Sequence, residues 1–413
     1  MKKVLIFSLA YRPFVGGVEV ALRELTDRIP AEEIEFHVLT LRVDSNLPKT
    51  ERLGNTIIHR IGFSRPNASS TDITRFPLRL NIYWYQFTAA FYALALNRNC
   101  GFDAIWAMMA HTAGVPAAMY KIAKPRTPYL LTLQEGDPPD YIERLMRPVW
   151  PLFSRAFTSA DRVQAISLFL MGWARRRGFH GKGVVIPNGV DLARFTYRHT
   201  LEQVAGAKEK LGKKDGDIFL VTTSRLVHKN AVDSVIEALP LLPANVSFLI
   251  YGIGPEEASL RTLALERGVG ERVRFMGQIS HEEMPLMLSA CDLFIRPSRS
   301  EGMGNSFIEA MAAGLPVIAT QEGGISDFLF DVNRSHGKEP TGWAVAVDSP
   351  TQIARAVEDI LSNPGTAARV KEAARSLVIK KYDWDSLGKD MRALFGELLD
   401  SRGGFDRVLG EVQ

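Results

Sequence analysis

Short, nearly continuous apolar runs recur along this chain, each followed by a turn and then a stretch with helical spacing. Val4-Leu5-Ile6-Phe7 is the first, and its continuity predicts a strand covered on both faces, as in a parallel sheet. Similar runs predict strands over 35–41, 56–61, 104–109, 129–133 and 162–166. A further strand at 184–186 runs into the turn sequence Pro187-Asn188-Gly189. The next stretch, 192–216, is polar and reads as irregular. A second series then opens at 218–223 and continues with strands at 246–251, 273–276, 293–295 and 316–319, with helices between them. Strand–helix alternation on both sides of a polar boundary predicts an α/β protein of two doubly wound, Rossmann-like domains, 1–185 and 190–383.

The helix expected over 78–97 carries Tyr83, Trp84, Tyr85, Phe87, Phe91 and Tyr92, with Arg75 and Arg79 near its start. It reads as a helix packed into the core on the first sheet; a membrane-contacting surface is the alternative. No apolar run reaches the roughly 18 residues that span a bilayer. The opening MKKVLIF resembles a short signal sequence, but Arg12-Pro13 follows in place of a small-residue cleavage pattern, so it reads as the first strand. In 413 residues the net charge is only +4, without the Lys/Arg clusters of a nucleic-acid binder. Cys100 and Cys291 form no CxxC pattern, which fits a reducing compartment and argues against a zinc site.

The candidate chemistry concentrates in 296–320. An apolar strand ends there in a turn containing Gly302 and Gly304, a helix follows over 306–313, and a new strand starts at Pro316. Glu301 lies in the turn and Glu309 about one helical turn in, with seven residues between them. Carboxylates beside free helix N–H groups suit a ligand with hydroxyls on two sides and an anion between them. At the first turn of the same half, Arg225 and Lys229 follow a strand and precede a helix. Such a pair can grip a diphosphate, though two solvated loop charges would look the same. Gly252-Ile253-Gly254 is a weak GxG pattern. In the first half, Gly16-Gly17 precedes a helix as a phosphate loop or an ordinary tight turn would. His111, Gln134 and Glu135 sit at carboxyl ends of strands, where α/β proteins bind ligands or cap loops.

Together these pieces resemble the retaining GT-B glycosyltransferases of family GT4, also called group 1. They stand in that family's order: Gly16-Gly17 with Glu19, Pro187-Asn188-Gly189-Val190-Asp191, Arg225 with Lys229, and Gly252-x-Gly254. Pro297-Ser298, Glu301-Gly302-x-Gly304 with Glu309-Ala310, Gly314-x-Pro316-Val317-Ile318 and Gly323-Gly324 follow. The resemblance implies two domains facing each other across a cleft, with the last helix, about 384–413, returning to the first. It implies that Arg225 and Lys229 hold a donor diphosphate, Glu309 the ribose hydroxyls and Glu301 the transferred sugar. Backbone N–H groups of Gly304, Asn305, Ser306 and Phe307 would meet phosphate or sugar, and Gly16 and Gly17 would close over the diphosphate. His111, Gln134 and Glu135 would fall on the acceptor or sugar side.

The implied reaction moves a hexose from a nucleoside-diphosphate sugar to a glycan or lipid-linked acceptor, in polysaccharide or glycolipid synthesis. No metal or other cofactor and no nucleic acid is expected. The expected setting is cytoplasmic, with peripheral contact at an anionic inner membrane face. Two departures stand out: Gln134 where the family often has His, and Asp327 where it often has Glu. A GT-B nucleotide-sugar epimerase and a non-catalytic nucleotide-sugar binder remain as alternatives.

Overall fold

A computed structural model describes residues 1–410 apart from Val15, Ser335 and His336, and without the side chains of Ser70, Thr71 and 401–410. Val15 of the 12–17 loop and residues 411–413 of the expected last helix thus lie outside the described residues.

The chain divides into two compact units. The first comprises 1–188 and the C-terminal helix Trp384–Gly410. Its strands are β1 (Lys2–Phe7), β2 (Ile34–Leu41), β3 (Thr50–Leu53), β4 (Thr56–Ile61), β5 (Ala104–Met108), β6 (Tyr129–Leu133), β7 (Arg162–Ala165) and β8 (Lys182–Val185). They form one sheet in the order β3-β4-β2-β1-β5-β6-β7-β8. Every neighbouring pair is parallel except the edge hairpin β3/β4, which the apolar pattern did not foretell. In β3 (TERL) only alternate positions are half-covered, so the strand carries no continuous apolar run.

Winding runs one way from β1 to β2 and β4 and the other way from β5 onward. The switch point therefore lies between the ends of β1 and β5. A buried polar chain ties the second half together. Trp106 Nε1 donates to Thr132 Oγ1 (2.7 Å), Thr132 Oγ1 to Gln164 Oε1 (2.7 Å), and Gln164 Nε2 to the Ile186 carbonyl just past β8. Each interior polar group in this chain is satisfied by the next strand, which also fixes strand register.

The C-terminal helix completes this unit's core. Phe395 stacks edge-on against Trp106 (5.1 Å between ring centres) and Phe36 (5.7 Å), and Trp384, Leu387 and Met391 join the same cluster. Ion pairs from Arg28 to Asp385 (2.8 Å) and Lys182 to Glu397 (2.6 Å) rim the contact.

Two expectations are corrected. The helix Leu80–Cys100 does pack on the sheet, but through Asn81, Tyr85, Ala89, Ala90 and Ala93. Tyr83, Trp84, Phe87, Phe91 and Tyr92 are exposed, so of its six large aromatics only Tyr85 enters the core. The sheet surface accepts small residues and one tyrosine on this side, which leaves the other rings outside. The polar stretch 192–216 is also not irregular. It forms Leu192–Phe195 and Leu201–Lys210, the latter started by a reciprocal cap between Thr200 and Gln203. Only Ala207 of that helix is buried, so no apolar stripe marked it.

The second unit, Gly189–Asp383, holds β9 (Ile218–Thr223), β10 (Val246–Tyr251), β11 (Val273–Gly277), β12 (Leu293–Arg296), β13 (Val317–Ala319) and β14 (Trp343–Ala344). All neighbours are parallel, in the order β11-β10-β9-β12-β13-β14. Its switch point lies between β9 and β12, which places the Arg225 loop and the Glu301 loop side by side at one sheet edge.

Phe395→Ala removes a ring wholly buried against Trp106 and Phe36. It is expected to cost the first unit roughly 3–5 kcal/mol. Denaturant unfolding followed by domain-specific hydrogen exchange should show that loss in 1–188 and leave 189–383 unchanged.

Candidate functional site

The loop after β9 carries the two candidate cations. Arg225 is exposed and Lys229 half-buried. The expected helix does not start directly behind them. His228–Asn230 form one 3₁₀ turn, Ala231 takes a left-handed conformation (φ 52°), and the helix runs over Val232–Ala238. Asn230 Nδ2 closes the loop on the Arg225 carbonyl (2.6 Å).

Two further elements hold this loop from outside. A Cβ on Gly252 would sit 1.8 Å from the Ser224 carbonyl oxygen, and one on Gly254 would sit 2.1 Å from that of Leu226. The GxG pattern is thus explained by close backbone packing that seats the Arg225 loop. On the other side stands Arg299. Its guanidinium donates to Asp233 (2.7 and 3.1 Å), Asp348 (2.7 Å) and the His228 carbonyl (2.6 Å). Its backbone N–H donates to the Lys229 carbonyl (2.7 Å). Arg299 belongs to the β12 loop, so it ties the two sides of the switch point together.

Arg296 ends β12 and is buried. It donates to Glu301 Oε2 (2.8 Å) and Ser306 Oγ (2.7 Å), and more weakly to the Thr223 carbonyl (3.4 Å). Its guanidinium lies 4.2 Å from the centre of the Phe307 ring. Burial pushes the guanidinium below its ordinary range, while Glu301 and Glu309 hold it up. Glu301 also accepts from the Gly302 N–H (3.1 Å), so its carboxylate is fixed on two sides.

Gly304 starts the helix Asn305–Ala312 at φ 87°, and no side chain caps that helix. A Cβ there would meet Phe307 at 2.5 Å and Arg296 at 2.7 Å, so the position is closed to any other residue. Glu309 is buried on this helix, with His281 Nδ1 3.9 Å away. Burial raises its carboxyl to about 7, against the attraction of Arg296.

At the switch point of the first unit, Gly16 stands before the helix Gly17–Asp27 with no side-chain cap. Glu19 folds back beside Gly16, and burial raises its carboxyl. Met109, just past β5, holds the strained φ of 71°. His111 lies in the following helical turn, its Nδ1 3.5 Å from Glu135 Oε1. The Glu135 side chain is fully buried and accepts from the backbone N–H groups of Ala110 and Gln134. Gln134 Oε1 meets Asn188 Nδ2 (3.5 Å), while its buried Nε2 has no partner.

The structure thus groups Arg225, Lys229, Glu301 and Glu309 along one edge of the second sheet. It groups His111, Gln134 and Glu135 along one edge of the first. Sequence reasoning missed Arg296, which holds Glu301, and Arg299, which holds the turn of Lys229. The one signal was an arginine closing an apolar run.

Residues 205–377 match the family described as Glycosyl transferases group 1, and 15–194 match Glycosyltransferase Family 4. A GDP-mannose-dependent monoacylated alpha-(1-6)-phosphatidylinositol monomannoside mannosyltransferase of Corynebacterium glutamicum is 31% identical over 56% of this chain and 61% of its own length. The chain spans about half to three-fifths of the length of the first such mannosyltransferases it matches. The alpha-monoglucosyldiacylglycerol synthase of Acholeplasma laidlawii is 22% identical over 96% of this chain and 97% of its own. In fold, the chain is similar to a sucrose-phosphate synthase from Thermosynechococcus elongatus. The TM-score is 0.78 at 20% identity, covering 97% of this chain and all of that one. With both halves of the chain matched in order, and with two parallel Rossmann-like sheets, the chain belongs to the group 1, family 4 glycosyltransferases and has their GT-B fold.

Proposed function

We propose that this protein transfers a hexose from a nucleoside-diphosphate sugar to a glycan or lipid-linked acceptor, with retention of configuration. One observation carries the reading. Two cations at the end of β9 and two carboxylates at the end of β12 flank the switch point of one parallel sheet, beside an uncapped helix start. That arrangement matches the order of charges along a nucleotide-sugar. Arg225 and Lys229 take the diphosphate, helped by the N–H groups at Gly304, Asn305 and Ser306; the expected Phe307 N–H is instead given to the Gly304 carbonyl (3.2 Å). Glu309 accepts from ribose hydroxyls and Glu301 from the sugar. Acceptor recognition falls to the first unit's edge, with His111, Gln134 and Glu135, and Gly16-Gly17 provide close backbone there. The relatives' names, a mannosyltransferase and a glucosyldiacylglycerol synthase, support a lipid-linked acceptor and peripheral contact with an anionic membrane.

In the reaction, the bond from the sugar C1 to the diphosphate breaks as the acceptor oxygen bonds to C1 on the same face. The acceptor proton passes to the departing phosphate. Negative charge grows on that phosphate, and Arg225 with Lys229 stabilises it without a metal. Glu301 is held by Arg296 and the Gly302 N–H, which suits a positioning acceptor better than a nucleophile.

Lys229→Ala is expected to lower kcat about 10²–10³-fold, read as product formation from sugar nucleotides in the presence of a chelator. Normal transfer in that variant would sink the assignment. A thermal-shift panel of UDP-, GDP- and ADP-sugars should name the donor base by mass action. Conversion of the nucleotide-sugar with no acceptor present would favour the epimerase instead.

Arg299→Met leaves the phosphate-binding side chains in place but frees the turn under Lys229. The donor KM should rise about tenfold, as expected of a lost buried charged bond network, with less change in kcat.

For Glu309, hydroxyls donate to the ionised carboxylate. Donor affinity should therefore climb as pH rises through about 7 and fall below it. Calorimetric titration on either side of pH 7 measures this, and Glu309→Gln should flatten the profile. The raised carboxyl also makes the folded state bind its proton more tightly than the unfolded one. Stability then falls between the ordinary value, 4.5, and about 7, and the penalty is complete above that. Above pH 7 the Gln variant should be the more stable protein, by on the order of 1–3 kcal/mol.

A further inference from the structure

Between 73 and 102 the chain has three arginines and no carboxylate. Most of that stretch is the 21-residue helix Leu80–Cys100, about 31 Å long at the standard rise. The helix is mostly apolar, yet it lies on the surface of its unit. Leu80, Trp84, Phe87 and Phe91 follow one another at spacings of four, three and four residues, which lines them along one face, and Tyr83 stands beside them three residues after Leu80. All five are exposed, Phe91 by 66%, and Phe76 just before the helix is exposed by 80%. Arg75 and Arg79 flank the start of this face and Arg98 its end, all exposed.

Looseness does not explain the exposure, because the opposite face is pinned. Tyr85 Oη donates to the Leu39 carbonyl (2.7 Å) and the Ser8 carbonyl (3.2 Å). Asn81 exchanges two bonds with the Phe63 backbone (2.8 Å each). Gln86 Nε2 donates to the His111 carbonyl (2.9 Å). The rings are therefore presented outward by a fixed helix. Among the described residues, no helix is long and apolar enough to cross a membrane.

We propose that the outer face of Leu80–Cys100, with Phe76, docks on the surface of an anionic lipid bilayer. Trp84, Tyr83 and Tyr92 have the apolar body and polar tip that settle at the headgroup boundary. Phe87, Phe91 and Leu80 supply the apolar area that enters the acyl boundary, and Arg79 and Arg98 meet acidic headgroups, while Arg75 is paired with Asp72 (3.2 Å). The absence of any carboxylate between 73 and 102 fits that anionic partner; Asp72, just before the stretch, is buried and paired with Arg65 and Arg75. Through Gln86 the docked helix is joined to His111, at the edge assigned to the acceptor. The benefit of docking, bringing a lipid-linked acceptor to that edge, rests on the proposed transfer; the docking itself does not.

The test uses the full chain, without sugar nucleotide, on phosphatidylcholine vesicles with and without phosphatidylglycerol. Of six tryptophans, Trp106, Trp173, Trp343 and Trp384 are buried and Trp150 half-buried, so Trp84 dominates any change in exposure. Co-sedimentation and a blue-shifted emission are expected with phosphatidylglycerol, both weakened by salt. Phe87→Ser with Phe91→Ser should lower partitioning about tenfold or more, because both rings supply interfacial apolar area. Both side chains are exposed, so the thermal melt should not change. Arg79→Gln should narrow the preference for acidic vesicles. The proposal is overturned if the wild type ignores phosphatidylglycerol vesicles at low salt, or if the double variant binds them equally well. It is also overturned if the variant only dissolves a dimer that never bound vesicles, which would assign the face to a second copy. A negative vesicle result would leave transfer to a water-soluble acceptor intact, so the two readings fail separately.

Discussion

The β9/β12 edge of the second unit is organised around one buried guanidinium. A charge removed from water costs several kcal/mol unless it is paired and its N–H groups are used. Arg296 meets that demand with Glu301, Ser306 and the Thr223 carbonyl, and lies against the Phe307 ring. The demand then shapes everything near it. It fixes Glu301 in the turn and orients the first residues of the helix. It also leaves no room for a side chain at Gly304. The two carboxylates become unequal as a result. Glu301 is bound directly to Arg296, whereas Glu309 feels Arg296 only through space and burial dominates its proton affinity. A sequence pair that looks symmetrical, Glu-x₇-Glu, is one carboxylate gripped by Arg296 and one buried on the helix without such a contact.

How much of this can be read from the chain follows from the range of the interactions. Parallel strands buried on both faces are continuous apolar runs, so β1, β2, β6, β9, β10 and β12 were visible in the sequence. The candidate charges were visible too, because each sits a few residues past such a run. Arg299 was not, since its partners Asp233 and Asp348 lie 66 and 49 residues away. Gly252-x-Gly254 was legible only as a weak GxG pattern, because its constraint is the backbone of another loop, at Ser224 and Leu226. Helix Leu201–Lys210 escaped notice because it buries almost nothing and rests on its cap and its own polar composition. In each case the missing information lay in a distant segment or in the lack of an apolar signal.

The first unit organises its edge by a different device. There the buried charge is an acid, Glu135, and backbone N–H groups of Ala110 and Gln134 satisfy it. That links the ends of β5 and β6 and holds the strained Met109 and the neighbouring His111 in place. An unpartnered amide, Gln134 Nε2, is left buried at the same edge. Such a donor is costly unless something polar meets it, and a sugar hydroxyl has the right chemistry to do so. A glutamine at this position can hydrogen-bond but, unlike a histidine, cannot exchange a proton near neutral pH.

Helix Leu80–Cys100 shows why a period-based reading can find an element and still misplace its faces. A helix whose apolar residues are spread around its axis does not say which side turns inward. The structure decides by size and hydrogen bonding. Alanines and one anchored tyrosine fit the sheet, and the larger rings do not. A buried aromatic helix would have needed a second layer over it, and among the described residues none covers Trp84, Phe87 or Phe91. Contiguous exposed apolar surface of this kind disfavours a chain that remains fully hydrated. Its persistence beside a run free of carboxylates is most simply understood if the covering layer is not protein. The same helix that closes one side of the first sheet would then set the height at which that sheet's binding edge rides above a lipid surface.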